Sequence, residues 1–183
     1  VKKLIVLDRD GVINHDSDEY IKSPQEWIPI DNSLEAIARL NHANYHVAVA
    51  TNQSGIARKL FTMDTLVDMH NKMYRLVEEV GGHIDMIAFC PHLPRDDCDC
   101  RKPKPGMLIE IAKRFSTRLS DIYVIGDSLR DLQAAAAVNA KPILVRTGKG
   151  EKVVELLNES GLGDIPVFDD LSAVADHLLV SDQ

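Results

Sequence analysis

Leu4-Ile5-Val6-Leu7-Asp8-Arg9-Asp10-Gly11 is a short apolar run stopped by charge. Its length reads as a buried β-strand rather than a helix. In extended chain Asp8 and Asp10, two residues apart, point the same way and Arg9 the opposite way. Two carboxylates side by side repel unless a cation or a proton lies between them. Gly11 permits a tight turn or a close backbone approach. Read alone, the pair is equally a solvated acidic turn.

The same alternation continues outward. Strands are expected at Leu4–Leu7, Val47–Ala50, Ile84–Phe89, Ile122–Ile125, Pro142–Val145 and Ile165–Phe168. Between and after them, helices are expected at Ser33–Leu40, Met63–Val80, Gly106–Phe115, Leu129–Val138, Val153–Leu157 and Leu171–Leu179. In the second helix Leu66, Met69, Met73, Leu76, Val77 and Val80 mark one face, with Thr62 or Asp64 as its cap. Strands alternating with helices imply an α/β fold, a parallel sheet covered on both faces. In such sheets ligands bind beyond the carboxyl ends of the strands. No repeat or linker interrupts the pattern, so residues 1–183 read as a single domain with an irregular loop, 90–105, set into it. A chain of this length buries roughly 70% of its unfolded surface and needs no staples.

Composition narrows the function classes. The net charge is −7 and no basic stripe occurs, which disfavours nucleic-acid or membrane binding through bulk charge. A few local cations can still dominate one pocket. No apolar run reaches the ~20 residues of a membrane span, and Val1–Asp8 is too short for a secretory leader. The chain begins at Val1, so an initiator Met is expected either before the numbering or removed. The three cysteines all lie between Cys90 and Cys100. That argues against a disulfide framework and for a local metal site in a reducing compartment. A cytoplasmic monomer is expected.

Three further segments carry polar groups at strand ends. Thr51-Asn52-Gln53-Ser54-Gly55 offers a hydroxyl, amides and loop N–H groups suited to an anion, or is an ordinary polar turn. Gly126-Asp127-Ser128, with Asp131 four residues beyond Asp127, suits a helix cap and equally a carboxylate facing a metal. Arg101-Lys102-Pro103-Lys104-Pro105 is a stiffened basic run, or surface charge. Cys90-Pro91-His92 and Cys98-Asp99-Cys100 supply three sulfurs and one imidazole, a closed tetrahedral set for structural Zn²⁺. Such a site would tie Arg101 and Lys102 to the ligand Cys100 and stiffen them. His15, His42, His46, His70 and His83 lack partners at ligand spacing and read as surface or packing residues. Trp27 reads as core.

Taken together, Asp-x-Asp, Thr-Asn, Lys and Gly-Asp-x₃-Asp follow in order across one α/β pattern. Over its first 131 residues the chain resembles the haloacid dehalogenase superfamily. The resemblance implies a Rossmann-like fold and a Mg²⁺-dependent phosphohydrolase. Asp8 would be the nucleophile, forming an aspartyl phosphate, and Asp10 the acid and base. Thr51 and Lys102 would hold the phosphoryl oxygens. Asp8, Asp127 and the backbone carbonyl of Asp10 would bind Mg²⁺, with Asp131 supporting the Asp127 loop. Only one helix fits between Asp10 and the second strand, so a capless, open site is expected. Residues 14–20 and the zinc loop are then left to recognise the leaving group.

Residues 8–14, 51–58, 90–92, 98–103 and 126–135 together look like the D-glycero-D-manno-heptose 1,7-bisphosphate 7-phosphatase family, of the histidinol-phosphatase-like subfamily. That likeness implies removal of the C7 phosphate from a phosphosugar on the route to nucleotide-activated heptose for lipopolysaccharide core. It implies Arg101 against the C1 phosphate, Asn52 and Asp16 on the sugar, and Gln53 and Ser54 in the substrate loop. One departure is Lys59, where Gly is expected; a positive φ there would strain it modestly. Histidinol-phosphate phosphatase shares these motifs, and Arg101 favours a second phosphate over it. A non-catalytic phosphosugar-binding protein is disfavoured by the retention of Asp8 and Asp10. A polynucleotide 3′-phosphatase is disfavoured by the acidic balance.

Overall fold

A computed structural model describes residues 3–181. Six strands form one parallel sheet: β1 (Lys3–Leu7), β2 (Tyr45–Asn52), β3 (Met86–Cys90), β4 (Tyr123–Gly126), β5 (Lys141–Val145) and β6 (Val167–Phe168). Their order is β3-β2-β1-β4-β5-β6. The connecting helices are α1 (Ser33–His42), α2 (Met63–Glu79), α3 (Gly106–Arg114), α4 (Leu129–Ala136), α5 (Gly150–Val154) and α6 (Leu171–Ser181).

The central strand shows why the sheet is covered on both faces. Ile5 and Leu7 pack into a core with α1, α2 and α6, while Leu4 and Val6 pack against α3 and α4. A period-two strand buried on both sides must be apolar at every position, which explains the unbroken run Leu4–Leu7. β1 pairs with β2 (Leu7↔Val49) and with β4 (Leu7↔Ile125). The chain order reverses between β1 and β4, the place where such sheets open a crevice. The segments leaving β1, β2 and β4 therefore emerge side by side.

Some boundaries differ from expectation. β2 extends to Asn52 because Thr51 and Asn52 pair with Phe89 and Cys90. Both are strand residues rather than loop residues, and Cys90 belongs to the sheet. α5 starts three residues earlier than its apolar pattern suggests. There the chain turns so tightly against β5 that a Cβ on Gly150 would lie 1.6 Å from the Val145 carbonyl. β6 is cut to two residues, since Pro166 has no N–H for a ladder and Ile165 N–H is spent in a turn on Leu162. Thr62 caps α2 by accepting from Thr65 N–H. Only α1 lies between Asp10 and β2. Only α2, β3 and a single 3-10 turn at Pro94–Asp96 lie between Thr51 and Lys102. Among the described residues no cap domain stands between these elements. No helix among the described residues is long and apolar enough to cross a membrane.

Candidate active site

Asp8 leaves β1 with its N–H on the Ile125 carbonyl, 2.9 Å away. Its Oδ1 accepts from Arg9 N–H at 2.8 Å and lies 3.0 Å from Lys102 Nζ. Lys102 is buried, and its ammonium also meets Asp131 Oδ1 at 2.6 Å and donates to the Ala50 carbonyl at 2.8 Å. The ammonium thus meets three oxygens, one through a hydrogen bond and two as ion pairs. Asp131, 1% exposed, uses Oδ2 to accept from Ser128 N–H and Oγ. Ser128 and Asp131 form the capping box of α4. Burial would depress the Lys102 pKa, but Asp131 and Asp8 outweigh it and raise it.

Carboxylate oxygens of Asp8, Asp127 and Asp131 lie within 4.8 Å of one another. Burial, and next the charge of Asp131, raise the Asp8 carboxyl well above its usual range. The same two causes bring Asp127 up to about 7. Lys102 alone does not balance this crowding. Hard oxygen donors in mutual reach with surplus negative charge suit Mg²⁺.

Asp10 has different surroundings. Its Oδ1 accepts from Arg9 Nε at 2.8 Å and Asn14 Nδ2 at 2.9 Å. Its Oδ2 accepts from Arg9 Nη2 at 3.1 Å and Gln53 Nε2 at 3.0 Å. Burial pushes this carboxyl up, yet the Arg9 charge and the four hydrogen bonds prevail and lower it. Arg9 does not point away from the pair, as extended geometry suggested. The chain turns at 9–14, with Ile13 N–H on the Arg9 carbonyl and φ +86° at Gly11, so strand alternation ends at Leu7. Gln53 Nε2 also donates to Thr51 Oγ1 at 2.9 Å, so the buried Thr51 hydroxyl keeps its own hydrogen for another acceptor. Asn52 closes its amide on the Lys102 peptide through two 3.1 Å hydrogen bonds.

Residues 147–149 reach over from the end of β5. Lys149 N–H donates to Asp127 Oδ2 at 2.8 Å, and Thr147 Oγ1 donates to the Gly11 carbonyl at 2.6 Å. Gly148 has φ +58°, and a Cβ there would lie 2.1 Å from Asp127 Oδ2. A Cβ on Gly11 would lie 2.0 Å from the same oxygen. Two glycines thus let backbone press on one carboxylate. Lys149 Nζ lies 3.3 Å from Asp16 Oδ2 and 3.7 Å from Asp18 Oδ1.

Asp8, Asp10, Thr51, Lys102, Asp127 and Lys149 line a cavity of about 330 Å³ together with Asp16–Asp18, Tyr20, Ser54 and Pro94. Three arginines, Arg58, Arg101 and Arg130, line it too. Burial, then the charge of Arg130 and more weakly that of Arg58, lower the Arg101 pKa. Beside Arg58, Lys59 holds φ +59°, a left-handed geometry that Gly would adopt without strain.

The second cluster sits beyond β3. Cys90, His92, Cys98 and Cys100 place one ligand atom each within 4.8 Å of all the others. Cys90 Sγ is 3.5 Å from His92 Nδ1 and 3.6 Å from Cys98 Sγ, and His92 Nδ1 is 3.3 Å from Cys100 Sγ. A tetrahedron with Zn–S and Zn–N bonds of about 2.3 and 2.0 Å has edges of roughly 3.5–3.8 Å. The donor set therefore fits Zn²⁺. Burial first, then neighbouring thiols, push Cys90 up to about 12, while hydrogen bonds led by the Arg101 N–H overcome burial and bring Cys98 down to about 7. Arg101 Nη1 donates to the His92 carbonyl at 3.3 Å, linking the cavity rim to this loop.

The HAD-hyrolase-like family model matches residues 99–174. A D-glycero-beta-D-manno-heptose-1,7-bisphosphate 7-phosphatase of Pseudomonas aeruginosa is 54% identical over 179 residues, covering 97% of this chain and 98% of that protein. That of Neisseria meningitidis serogroup A is 52% identical, covering 97% and 95%. The chain belongs to the D-glycero-D-manno-heptose 1,7-bisphosphate 7-phosphatase family, within the haloacid dehalogenase superfamily. It is a phosphoric monoester hydrolase. The crystal structure of the D,D-heptose 1,7-bisphosphate phosphatase from B. bronchiseptica, complexed with magnesium and phosphate, superposes with a TM-score of 0.93 at 52% identity. It covers 98% of this chain and 99% of that one.

The structure brings together Asp8, Asp10, Asp16, Thr51, Asn52, Gln53, Ser54, Arg101, Lys102 and Asp127 around one cavity. Sequence reasoning gave no role to Arg58, Arg130, Thr147, Gly148 or Lys149. The pattern Gly148-Lys149-Gly150 after an apolar strand was the available signal. His70, read as surface or packing, is buried with Nε2 3.3 Å from Arg9 Nη1. His46 and His83 both turn to Asp85, at 2.9 and 3.6 Å.

Proposed function

We propose that this chain is a Mg²⁺-dependent phosphatase that removes the C7 phosphate of D-glycero-D-manno-heptose 1,7-bisphosphate through an aspartyl phosphate on Asp8. One observation carries the reading. A single cavity joins an acidic floor containing Asp8, Asp127 and Lys102 to the arginines Arg58, Arg101 and Arg130. A floor for one phosphate and a separate cationic group for another suit a bisphosphate. The relatives' names and the magnesium and phosphate of the Bordetella structure support it.

In the proposed reaction a carboxylate oxygen of Asp8 attacks phosphorus in line, and the P–O bond to C7 breaks. Asp10 gives its proton to the leaving alkoxide. In the second step it takes a proton from the water that attacks the aspartyl phosphate, freeing inorganic phosphate and Asp8. Asp10 carries a lowered pKa in the free protein, so it rests as the base. A bound phosphate dianion raises a neighbouring carboxyl and so favours loading the acid form. Lys102 and the Thr51 hydroxyl face the phosphoryl oxygens, where transition-state charge spreads. Asp8, Asp127 and the Asp10 carbonyl would hold Mg²⁺, which when bound offsets repulsion between the carboxylates and the phosphate. Cys90, His92, Cys98 and Cys100 would hold Zn²⁺ as a structural ion.

Arg101, with Arg58 and Arg130, would take the C1 phosphate, and Asp16, held by Lys149, a sugar hydroxyl. Asn52, Gln53 and Ser54 shape the loop beside them. The product lies on the way to nucleotide-activated heptose for lipopolysaccharide core. The reading includes a single domain acting as a cytoplasmic monomer, where thiolates stay reduced. The test is turnover of both heptose bisphosphate anomers and histidinol phosphate with Mg²⁺ supplied. The heptose bisphosphates are expected to win, and Arg130→Gln to raise KM for them alone. A preference for histidinol phosphate overturns the substrate assignment.

A further inference from the structure

We infer that His70 of α2 is a positioning residue that orients the Asp10 carboxylate through Arg9. The inference rests on the proposed role of Asp10 as proton donor. Arg9 is fully buried. Its Nε and Nη2 grip the two oxygens of Asp10 at 2.8 and 3.1 Å. Its Nη1 faces His70 Nε2 at 3.3 Å. A guanidinium only donates, so His70 Nε2 accepts. The imidazole is then neutral, with its proton on Nδ1. Burial and the facing charge of Arg9 agree, holding the His70 pKa at about 3.

The geometry makes a three-point mount. A bidentate Arg–carboxylate pair is planar, so the plane of one group sets the plane of the other. Two points on Asp10 set a common plane but do not by themselves tie the guanidinium to the core. The third point, on His70, ties that plane to a helix whose Leu66, Met69, Met73 and Val77 are locked in the core. The edge of the Phe89 ring lies against His70, with centroids 6.5 Å apart. Asn14 and Gln53 hold the far side of the carboxylate. Asp10 is thereby aimed at one place, where the leaving oxygen must receive its proton.

A leaving-group series tests this. An alkyl phosphate such as the sugar bisphosphate needs the proton, whereas p-nitrophenyl phosphate, whose leaving group is a weak base, does not. The quantity to compare is kcat/KM, which reports the steps up to phosphorylation of Asp8. His70→Leu is expected to lower it by about 10- to 100-fold for the sugar bisphosphate, with p-nitrophenyl phosphate changed less than about threefold. His70→Gln, which keeps an acceptor, recovers most of the loss. Arg9→Lys keeps the charge but loses the fork and reproduces the selective loss, which carries the test if His70→Leu does not fold. Equal losses on both substrates, or no loss on either, overturn the role of His70. Asp10→Asn runs alongside: if it too shows no leaving-group dependence, the proton-donor reading of Asp10 fails first.

Discussion

Cys90, His92, Cys98 and Cys100 lie within eleven residues of one another on a single strand end and loop, whereas Asp8, Lys102, Asp127 and Asp131 come from three segments that meet only at the sheet edge. Both are compact groups of metal-capable side chains, but they differ in chemistry. The first has three thiolates and one imidazole, enough to close a tetrahedron and leave no position open. The second has hard oxygens, an internal ammonium and an open cavity, so an ion there can also meet substrate. Completeness of the ligand set separates a clamp from a reaction centre. Arg101 and Lys102 join the two, because Cys100 ends one cluster where Lys102 enters the other.

The comparison can be broken from either side. The largest effect is expected at the open cluster. Asp8→Asn should lower kcat by at least about 10⁴-fold, since the proposed nucleophile has no substitute. Its thermal unfolding should stay near that of the parent, and turnover at the parental rate would remove Asp8 from its role. At the closed cluster the outcome reverses. Cys98→Ala should release zinc, read by elemental analysis, and lower the unfolding temperature by roughly 10 °C. Activity should fall less than in Asp8→Asn, through loosening of Arg101 and Lys102. An unchanged zinc content would count against the ligand set.

A smaller effect should come from the glycine that touches Asp127. Gly148→Ala places a Cβ 2.1 Å from Asp127 Oδ2 at φ +58°, so the Mg²⁺ concentration for half-maximal activity should rise about 10-fold. If Mg²⁺ dependence is unaltered, the 147–149 segment does not set the carboxylate.

The smallest effect is in pH. Asp127 is raised from its ordinary value of 3.8 to about 7. In metal-free protein its contribution to stability is full below pH 4 and is lost as pH rises through 7. Mg²⁺ requires the ionised form, so the rise in unfolding temperature on adding Mg²⁺ should be larger at pH 8 than at pH 5.5. Equal shifts at both would show that Asp127 is already ionised throughout.

Legibility in the sequence followed the range of the interaction. The Cys/His cluster was readable because its four members, Cys90, His92, Cys98 and Cys100, are local in sequence. Asp8 and Asp127 were readable as strand-end residues, since an apolar run stopped by Asp marks the carboxyl edge of a buried strand. That they face one another followed only from the family resemblance, because alternation predicts a parallel sheet without saying that β1 lies between β2 and β4. Arg9 was misread because period-two geometry was carried past Leu7, where the chain turns. Lys149 was passed over because its important group is a backbone N–H, and an N–H has no signature in sequence. The α5 boundary was missed because Gly150 reads as a breaker, yet here it lets a helix begin against β5.

The α/β class, the strand-end carboxylates and the thiol cluster were all legible in residue type and short spacing. Strand order and the turn after Leu7 brought Asp8 and Asp131 onto the Lys102 ammonium and gave Asp8 and Asp10 opposite electrostatics. Tertiary structure set three arginines along one cavity and bound Arg9 to His70. The physical reason is that pKa and hydrogen bonding depend on distances through space. Here those distances are fixed by strand order, two close-packed glycines and a turn, none of which is written in any single segment.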